Sequence, residues 1–180
     1  MSLSTSATEI QVLHRTLGGG VDYGRFTRAL EKVLGRFSDD VQEDIGRRPD
    51  VAEQRIQAMQ GEQGLMIFAI FDHGAALNMA GAARKAKQYL IGNPLTAIQM
   101  SRHDLRAALY APLRVLVYED DRQRTVIEYD QPSSLFGQFG NAEVTSVGAS
   151  LDRKLEAVIR RAAELCNPLP AAKRPGGDGR

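Results

Sequence analysis

The sequence contains a single cysteine, Cys166, in 180 residues. One cysteine cannot form an intramolecular disulfide, and it cannot build the cysteine clusters that hold zinc or iron. The three histidines show none of the spacings, such as His-Glu-x-x-His, that mark a metal site. Gly18-Gly19-Gly20 lacks the third glycine of a dinucleotide-binding loop, because Tyr23 stands in that place. We therefore expect neither a metal nor a cofactor.

An excess of one charge and long apolar runs are also missing. The formal net charge is +1, so the chain has no strong field to attract nucleic acid or an acidic membrane. The longest apolar run, residues 65–71, is far too short to cross a bilayer. The first residues carry neither the basic nor the apolar block of a signal peptide. These features predict a cytoplasmic protein that binds neither nucleic acid nor membrane.

The composition that is present is that of an ordinary globular domain. Hydrophobic residues make up 43% of the chain and charged residues 25%, and a chain of this length can bury a sizeable core. We predict one domain over residues 8–166. Residues 167–180 are rich in proline, glycine and charge, so we predict a disordered tail there.

The first third of the chain predicts a strand, a helix and a charged segment. Partial alternation indicates a strand over residues 9–16, ended by the three glycines. Asp22 is placed to cap a helix whose apolar positions are Phe26, Leu30, Val33, Leu34 and Phe37. Residues 38–63 are dominated by charged side chains and carry only a thin apolar stripe. They predict one or two surface helices broken near Pro49, as a helical insertion after the first helix.

The rest of the chain alternates strands with helices. Residues 65–71 form a continuous apolar run, which is typical of a fully buried strand. An alanine-rich helix is expected from His73 onward, and the apolar period after Ser150 predicts a final helix capped by that serine. Three further strands are predicted over residues 88–91, 113–119 and 125–130, the last two as a hairpin. The order favours an α+β fold, a single-domain sandwich of a mixed sheet with helices packed on it.

Three segments, in this order, resemble a known bacterial family. They are the strand exit Asp72-His73-Gly74-Ala75-Ala76, the strand exit Tyr89-Leu90-Ile91-Gly92-Asn93-Pro94, and the hairpin that begins at Ala111-Pro112-Leu113. Over roughly residues 65–162 the chain resembles domain of unknown function family 302, and residues 10–34 fit the opening strand and helix of that family. The resemblance implies a compact α+β sandwich that often self-associates. It implies no activity, because none is established for the family.

The chain also departs from the usual pattern of that family. Residues 38–63 look like an insertion where the family runs directly from helix to strand. Ile91 stands where a phenylalanine usually precedes the glycine, and the stretch after Pro94 lacks the usual glycine-containing continuation.

Asp72 and His73 form the first candidate site, at a strand exit and the start of a helix. The functional interpretation is a histidine that titrates or binds a ligand beside a carboxylate. The structural interpretation is that Asp72 caps the helix and His73 lies in its first turn. The sequence favours the structural interpretation, because acidic caps are common.

Asn93 and Pro94 form the second candidate, at another strand exit. The amide of Asn93 could contact a ligand. Alternatively, Asn93 caps a helix and Pro94 occupies its first position, which suits proline. If both exits open on the same edge of the sheet, His73 and Asn93 would line one pocket.

Three hypotheses about function remain open at this point. The preferred one is a module, expected to be a homodimer, that binds a small molecule or a protein without catalysis. The alternative is an enzyme that uses Asp72 and His73 with Asn93 in a shared cleft. A third hypothesis is that residues 38–63 dock a partner protein.

Overall fold

One six-stranded sheet organises the part of the chain, residues 3–166, that the computed structural model describes. Its strands are β1 (His14–Gly19), β2 (Gly35–Arg36), β3 (Met66–Asp72), β4 (Ala86–Gly92), β5 (Leu113–Glu119) and β6 (Thr125–Asp130). Their order in space is β1-β6-β5-β4-β3-β2. All neighbouring strands are antiparallel except β2 and β3, which are parallel. The predicted α+β fold with a mixed sheet is confirmed, while the predicted tail, residues 167–180, lies outside the described residues.

Helices connect and flank these strands. The α-helices are α1 (Tyr23–Val33), α2 (Gln42–Arg47), α3 (Pro49–Met59), α4 (His73–Leu77), α5 (Pro94–Ser101), α6 (Pro132–Phe136) and α7 (Ala142–Cys166). Short 3-10 helices span Asp39–Val41, Glu62–Gly64, Asn78–Ala80, Leu105–Tyr110 and Gly137–Phe139. The segment 38–63 therefore contains two α-helices that meet at Pro49, as its pattern predicts.

The main core lies on one face of the sheet, under α1 and α7. Buried side chains alternate along the strands, so that Tyr89 and Ile91 of β4 lie beside Val115 and Leu113 of β5. The apolar stripe of α7 packs on them at Val144, Gly148, Leu151, Leu155, Val158, Ile159, Ala162 and Cys166. The spacing of that stripe follows the helical period, which explains why one helix can cover several strands.

The opposite face of the sheet is different in character, and we call it the open face. It carries the alternate residues of five strands: His14, Thr16, Glu128, Asp130, Arg114, Leu116, Gln88, Leu90, Ala69 and Phe71. These side chains are half-buried or exposed. Antiparallel sheets tolerate such an arrangement, because each strand buries only every second side chain.

A second, smaller core forms at the β3 end of the sheet. Met66, which is fully buried, packs there against Val41, Ala52 and Ile56 of the charged segment. The segment 38–63 thus contributes its thin apolar stripe to the folded core. Most of its charged side chains face outward, with buried Asp44 as an exception, which accounts for its polar composition.

Two predicted strands have different limits in the structure. The first strand was predicted over residues 9–16 but spans His14–Gly19, so Gly18 and Gly19 pair with β6 instead of ending the strand. The backbone partners on β6 hold these glycines extended despite their weak strand preference. The strand predicted over residues 65–71 corresponds to β3, but it is fully buried only at its start. Phe71, near its end, is 50% exposed.

Two predicted helices also have different limits. The alanine-rich helix ends at Leu77 and its 3-10 continuation at Ala80, because Gly81 takes a left-handed conformation with φ +72°. The final helix begins at Ala142, so Ser150 is inside it and is not its cap. Asn141 caps this helix, accepting hydrogen bonds from the backbone N–H groups of Glu143 and Val144 at 3.0 and 3.1 Å.

The chain crosses itself closely where Gly35 meets Gly61. A Cβ on Gly35 would lie 1.9 Å from the carbonyl oxygen of Met59, and a Cβ on Gly61 would lie 2.1 Å from the backbone nitrogen of Gly35. Both backbone nitrogens donate to the carbonyl of Leu65, at 3.0 and 3.1 Å. This crossing fixes the charged segment to the start of β3.

We expect Gly35→Ala to lower the free energy of unfolding by more than about 3 kcal/mol, because backbone atoms cannot move away from the added methyl group. Gly46→Ala in α2 is the matched control, since nothing lies within 4 Å of its Cβ position. The control should be neutral or stabilising by about 0.5–1 kcal/mol. Urea denaturation measures the free energy of unfolding of both variants. Equal effects of the two substitutions would contradict the close approach of the backbone at Gly35 and Gly61.

Candidate functional site

The two candidate sites lie at opposite ends of the sheet. Because β3 and β4 are antiparallel neighbours, Asp72 pairs with Lys87 at one end while Met66 pairs with Gly92 at the other. The seven residues from Met66 to Asp72 span about 20 Å in a strand. Asp72 and His73 therefore do not meet Asn93 and Pro94, and the hypothesis of a shared cleft is wrong.

Asp72 acts as the cap of α4. Its Oδ1 accepts a hydrogen bond from the backbone N–H of Ala75 at 2.8 Å. His73 follows as the first residue of this five-residue helix, and it is exposed. These contacts agree with the structural interpretation, in which Asp72 caps the helix and His73 lies in its first turn.

Asn93 is buried, with 8% of its surface exposed, and both ends of its amide are used by the fold. Its Oδ1 accepts from the backbone N–H of Leu95 at 2.8 Å, which caps α5. Its Nδ2 donates to the carbonyl of Gly64 at 2.7 Å, which ties the turn before β3 to the end of β4. Pro94 occupies the first position of α5, where its missing N–H costs nothing.

An apolar pocket opens beside Asn93 and Pro94. It has a volume of about 240 Å3. The strands β4 and β5, the helices α2, α5, α6 and α7, and the segment around Phe37 all contribute to its wall. The lining residues are Phe37, Gln42, Ile45, Phe68, Ile91, Gly92, Asn93, Pro94, Thr96, Ala97, Met100, Ala111, Pro112, Leu113, Phe136 and Leu151.

Phe68 reaches this pocket because of an irregularity in β3. The register with β4 shifts between Ile67 and Ala69, which leaves Phe68 as an extra residue in a β-bulge. Bulges redirect a side chain out of the regular alternation. Here the ring of Phe68 stacks on that of Phe37, with centroids 4.5 Å apart. The ring lies beside Gly92, whose Cβ position would be 3.4 Å from Cε2 of Phe68.

The chemistry available in the pocket is that of binding. None of the lining side chains is an acid, a base, a thiol or a phenol, so the wall offers no proton donor or acceptor for general acid–base catalysis. Its polar groups are the amides of Gln42 and Asn93 and the hydroxyl of Thr96. Among residues 3–166, no group of three or more histidine, cysteine and carboxylate side chains could hold a metal ion.

A buried carboxylate positions α2, which forms one wall of the pocket. Asp44 is 4% exposed and accepts a hydrogen bond from Nη1 of Arg55 at 2.7 Å and from Nε of Arg48 at 3.0 Å. The hydrogen bond from Arg55, and after it the one from Arg48, holds the pKa of Asp44 below its usual range. Gln42 and Ile45, one turn apart on the same short helix, are thereby placed at the pocket.

A polar network crosses the open face, away from the pocket. Nδ1 of His14 lies 3.0 Å from Oδ1 of Asp130, and Nε2 of His14 lies 3.6 Å from Oε2 of Glu128. The hydroxyl of Tyr118 donates to Oε1 of Glu128 at 3.1 Å. The hydrogen bond to Asp130 raises the pKa of His14, while partial burial opposes the shift.

Sequence reasoning missed two parts of this arrangement. Phe68 was expected to lie within a fully buried strand, and a bulge without glycine leaves no local mark in the sequence. Gln42 and Ile45 belong to the segment that was expected to lie on the surface. The alternation of β1 did place His14 on one face, but its carboxylate partners come from β6, which is more than 100 residues away.

The fold and the site define an α+β domain with a one-sided sheet and an apolar pocket at one end. The chain belongs to the family described as domain of unknown function DUF302, which matches residues 42–162. The match takes in most of the charged segment as well as every strand from β3 onward.

A known structure has a similar fold. The crystal structure of an uncharacterized conserved DUF302 protein from Bacillus stearothermophilus is similar, with a TM-score of 0.60 and 17% identity over 83% of this chain and 97% of that one. At this identity the likeness shows the fold alone.

Two curated proteins, fluoride-specific ion channel FluC 1 of Brucella suis and FluC 2 of Brucella melitensis, are each 28% identical over 118 residues. These residues cover 64% of this chain and 44% and 42% of those proteins. The chain thus spans less than half the length of the curated relatives it matches. Within residues 3–166, no helix is both long and apolar enough to cross a membrane.

We expect Asn93→Ala to lower the free energy of unfolding by about 2 kcal/mol, from a lost helix cap and a lost hydrogen bond to Gly64. His73→Ala, at the exposed opposite end of the sheet, should change it by less than about 0.5 kcal/mol. Thermal and urea denaturation compare the two. A larger loss for the histidine variant would mean that His73 has a packing role that the geometry does not show.

The imidazole of His14 should titrate above its ordinary value of 6.5. Because the folded state binds the proton more tightly, the His14–Asp130 contact contributes its full stability below about pH 6.5 and loses it as pH rises through the folded pKa. Asp130→Asn should move the midpoint down by more than Glu128→Gln does, since the Asp130 contact is shorter. NMR titration of the ring protons measures these midpoints, and an unchanged midpoint in Asp130→Asn would contradict the pairing.

Proposed function

We propose that this protein is a binding module for a small apolar molecule, held in the pocket at the end of β4. The observation that supports the proposal most directly is the apolar wall itself, in which aliphatic and aromatic side chains surround three polar groups. Small-molecule sites in proteins usually combine such a wall with a few polar groups that orient the ligand.

The size of the pocket limits the ligand. A cavity of about 150 Å3 lined by aliphatic and aromatic side chains can hold benzene. The pocket of about 240 Å3 therefore suits a molecule with one or two small rings, or a short acyl chain. The stacked rings of Phe37 and Phe68 offer a flat surface, which favours an aromatic ligand.

The polar groups of the pocket would orient a ligand without reacting with it. Asn93 already uses its Oδ1 and one Nδ2–H within the fold, so Gln42 and Thr96 are the better candidates for contacts with a ligand. A ligand with one hydroxyl, carbonyl or ring N–H could satisfy them. A charged ligand would lack a counter-ion, since no lysine, arginine, aspartate or glutamate lines the pocket.

The positions of the candidate residues favour a binding module over an enzyme. The enzyme hypothesis required Asp72 and His73 to share a cleft with Asn93, and the strands carry them to opposite ends of the sheet. A cytoplasmic location remains a prediction.

Indole tests the proposal, because it is flat, apolar and carries one N–H. We expect it to bind with a Kd of roughly 0.1–1 mM, an ordinary strength for nine non-hydrogen atoms. Perturbed NMR signals should cluster at Ile91, Met100 and Ile45. Benzoate, which is similar in size but anionic, should bind at least tenfold more weakly.

The matched variants are Ala97→Leu, which fills the pocket, and Ala108→Leu, an exposed position in the 3-10 helix Leu105–Tyr110. The first should abolish indole binding and leave the melting temperature unchanged or higher, whereas the second should bind as the wild type does. Equal indole binding by both variants, or shifts that map elsewhere, would refute the assignment of the ligand to this pocket.

A further inference from the structure

A groove runs between the edge strand β1 and the helix α7, on the face of the sheet that holds the main core. Its volume is about 480 Å3, and it shares no lining residue with the pocket at the end of β4. Arg15, Leu17 and Gly19 of β1 alternate onto this face. On β6, Tyr129 lies opposite Arg15 and Ile127 lies opposite Leu17. The groove is therefore built at the one edge of the sheet where a strand meets α7.

Gly19 keeps part of this groove open. Its Cβ position has no atom within 4 Å, and the alternation of the strand would point a side chain there toward the groove. The backbone of Gly19 is in register with Thr125 of β6 and does not have a positive φ. The conformation of the strand therefore does not require glycine, and the residue leaves space that nothing else in the fold fills.

Tyr129 presents a hydroxyl to the groove that the fold does not use. The residue is 4% exposed, and its hydroxyl makes no hydrogen bond to another group within residues 3–166. Over the same range, only Oε1 of Gln131 is both fully buried and without a partner, so the Tyr129 hydroxyl reaches the solvent of the groove. Burial, and after it the Glu156 carboxylate, raises the pKa of this hydroxyl. The group therefore stays protonated at neutral pH and can donate a hydrogen bond.

The charges at the groove favour an anion. Arg15 and Arg160 both line it and are exposed, while Glu156 is the one acid among the lining residues. Nη2 of Arg15 is 4.0 Å from Oε1 of Glu156, too far for a hydrogen bond. In the part of the chain that the structure describes, Arg160 has no carboxylate within that distance. The guanidinium groups thus retain donors for a carboxylate that enters the groove.

The floor of the groove is apolar. Leu17 is 37% exposed although it lies on the core side of the sheet. Ile159 and Ala163 of α7 face the same space, one buried and the other half-buried. An apolar group that covered Leu17 would remove its surface from water, which favours binding. A matching ligand therefore carries an apolar body next to its negative charge.

We propose that the groove between β1 and α7 binds a small carboxylic acid with a compact apolar body. The hydroxyl of Tyr129 and the guanidinium of Arg160 are the donors that hold the carboxylate, and the apolar body covers Leu17. This site differs from the pocket at the end of β4, where no charged side chain lines the wall. The two sites select ligands of different charge, so the inference does not depend on the function proposed for the pocket.

Indole-3-acetate tests the proposal with the full chain, and the neutral indole-3-acetamide is its matched probe. We expect the acid to bind with a Kd of roughly 0.1–1 mM, and the amide about fivefold more weakly because it lacks the ion pair. NMR signals of Leu17, Ile127 and Ala163 should shift with the acid. Signals of Ile91 and Met100 report on the other pocket, so failure at one site is distinct from failure at the other. Equal affinity of acid and amide, or no saturable binding of the acid, would overturn the proposal.

Gly19→Val and Gly18→Val are matched variants of neighbouring residues. Both Cβ positions have open space within 4 Å, but the two side chains would point to opposite faces of the sheet. Gly19→Val fills the groove and should abolish binding of indole-3-acetate, whereas Gly18→Val should bind it as the wild type does. Both should fold with an unchanged or higher melting temperature, because valine suits a strand. Equal binding by the two variants would place the acid elsewhere and contradict the assignment.

Three polar variants decide the question even if Gly19→Val fails to fold. Tyr129→Phe should raise the Kd of indole-3-acetate about threefold to tenfold without changing the melting temperature, because the lost hydroxyl has no partner in the fold. Arg160→Gln should raise the Kd about twofold to fivefold. Glu156→Gln should lower it by about twofold, since it removes a repelling charge and frees Arg15. A higher Kd in Glu156→Gln would mean that the groove prefers a cation, and an unchanged Kd in Tyr129→Phe would mean that the hydroxyl makes no contact. Either result refutes the proposed site.

Discussion

The antiparallel pairing of β3 with β4 is the constraint on which the arrangement of this protein depends. It sends the two strand exits in opposite directions, with Asp72 beside Lys87 and Gly92 beside Met66. Because a strand holds its residues in an extended line, no side chain can bridge that length. The pairing therefore separates the capped turn at His73 from the pocket at Asn93. It also brings the turn before β3 within reach of the Asn93 amide.

The pocket results from a local break in the same pairing. A regular β3 would alternate Ile67, Phe68 and Ala69 between the two faces. The bulge removes Phe68 from that alternation, so that its ring meets Phe37 at the end of the sheet. The Asp44 carboxylate, bonded to two arginines, fixes the helix that completes the wall. The pocket thus forms from side chains that also pack the fold, which is why its wall carries no titratable group.

The two faces of the sheet differ in what covers them. One face is covered by α1 and α7 and holds the main core. The other presents a polar network beside exposed apolar side chains. The charged segment 38–63 combines both characters, since it buries Val41, Ala52 and Ile56 and, apart from the buried Asp44, exposes most of its charged side chains. Gly35 and Gly61 let the backbone of that segment cross closely enough to do so.

The sequence by itself determined the fold class, the caps at Asp72 and Asn93, the hairpin, the break at Pro49 and membership of the family. Each of these depends on residues close together in the chain, where spacing and local conformational preference act directly. Only the tertiary structure decided which strand exits meet, where Phe68 points, that α2 closes a pocket, and that β6 supplies the partners of His14. Strand order and register join residues that are far apart in the chain, and the hydrophobic pattern of one segment does not specify its neighbour.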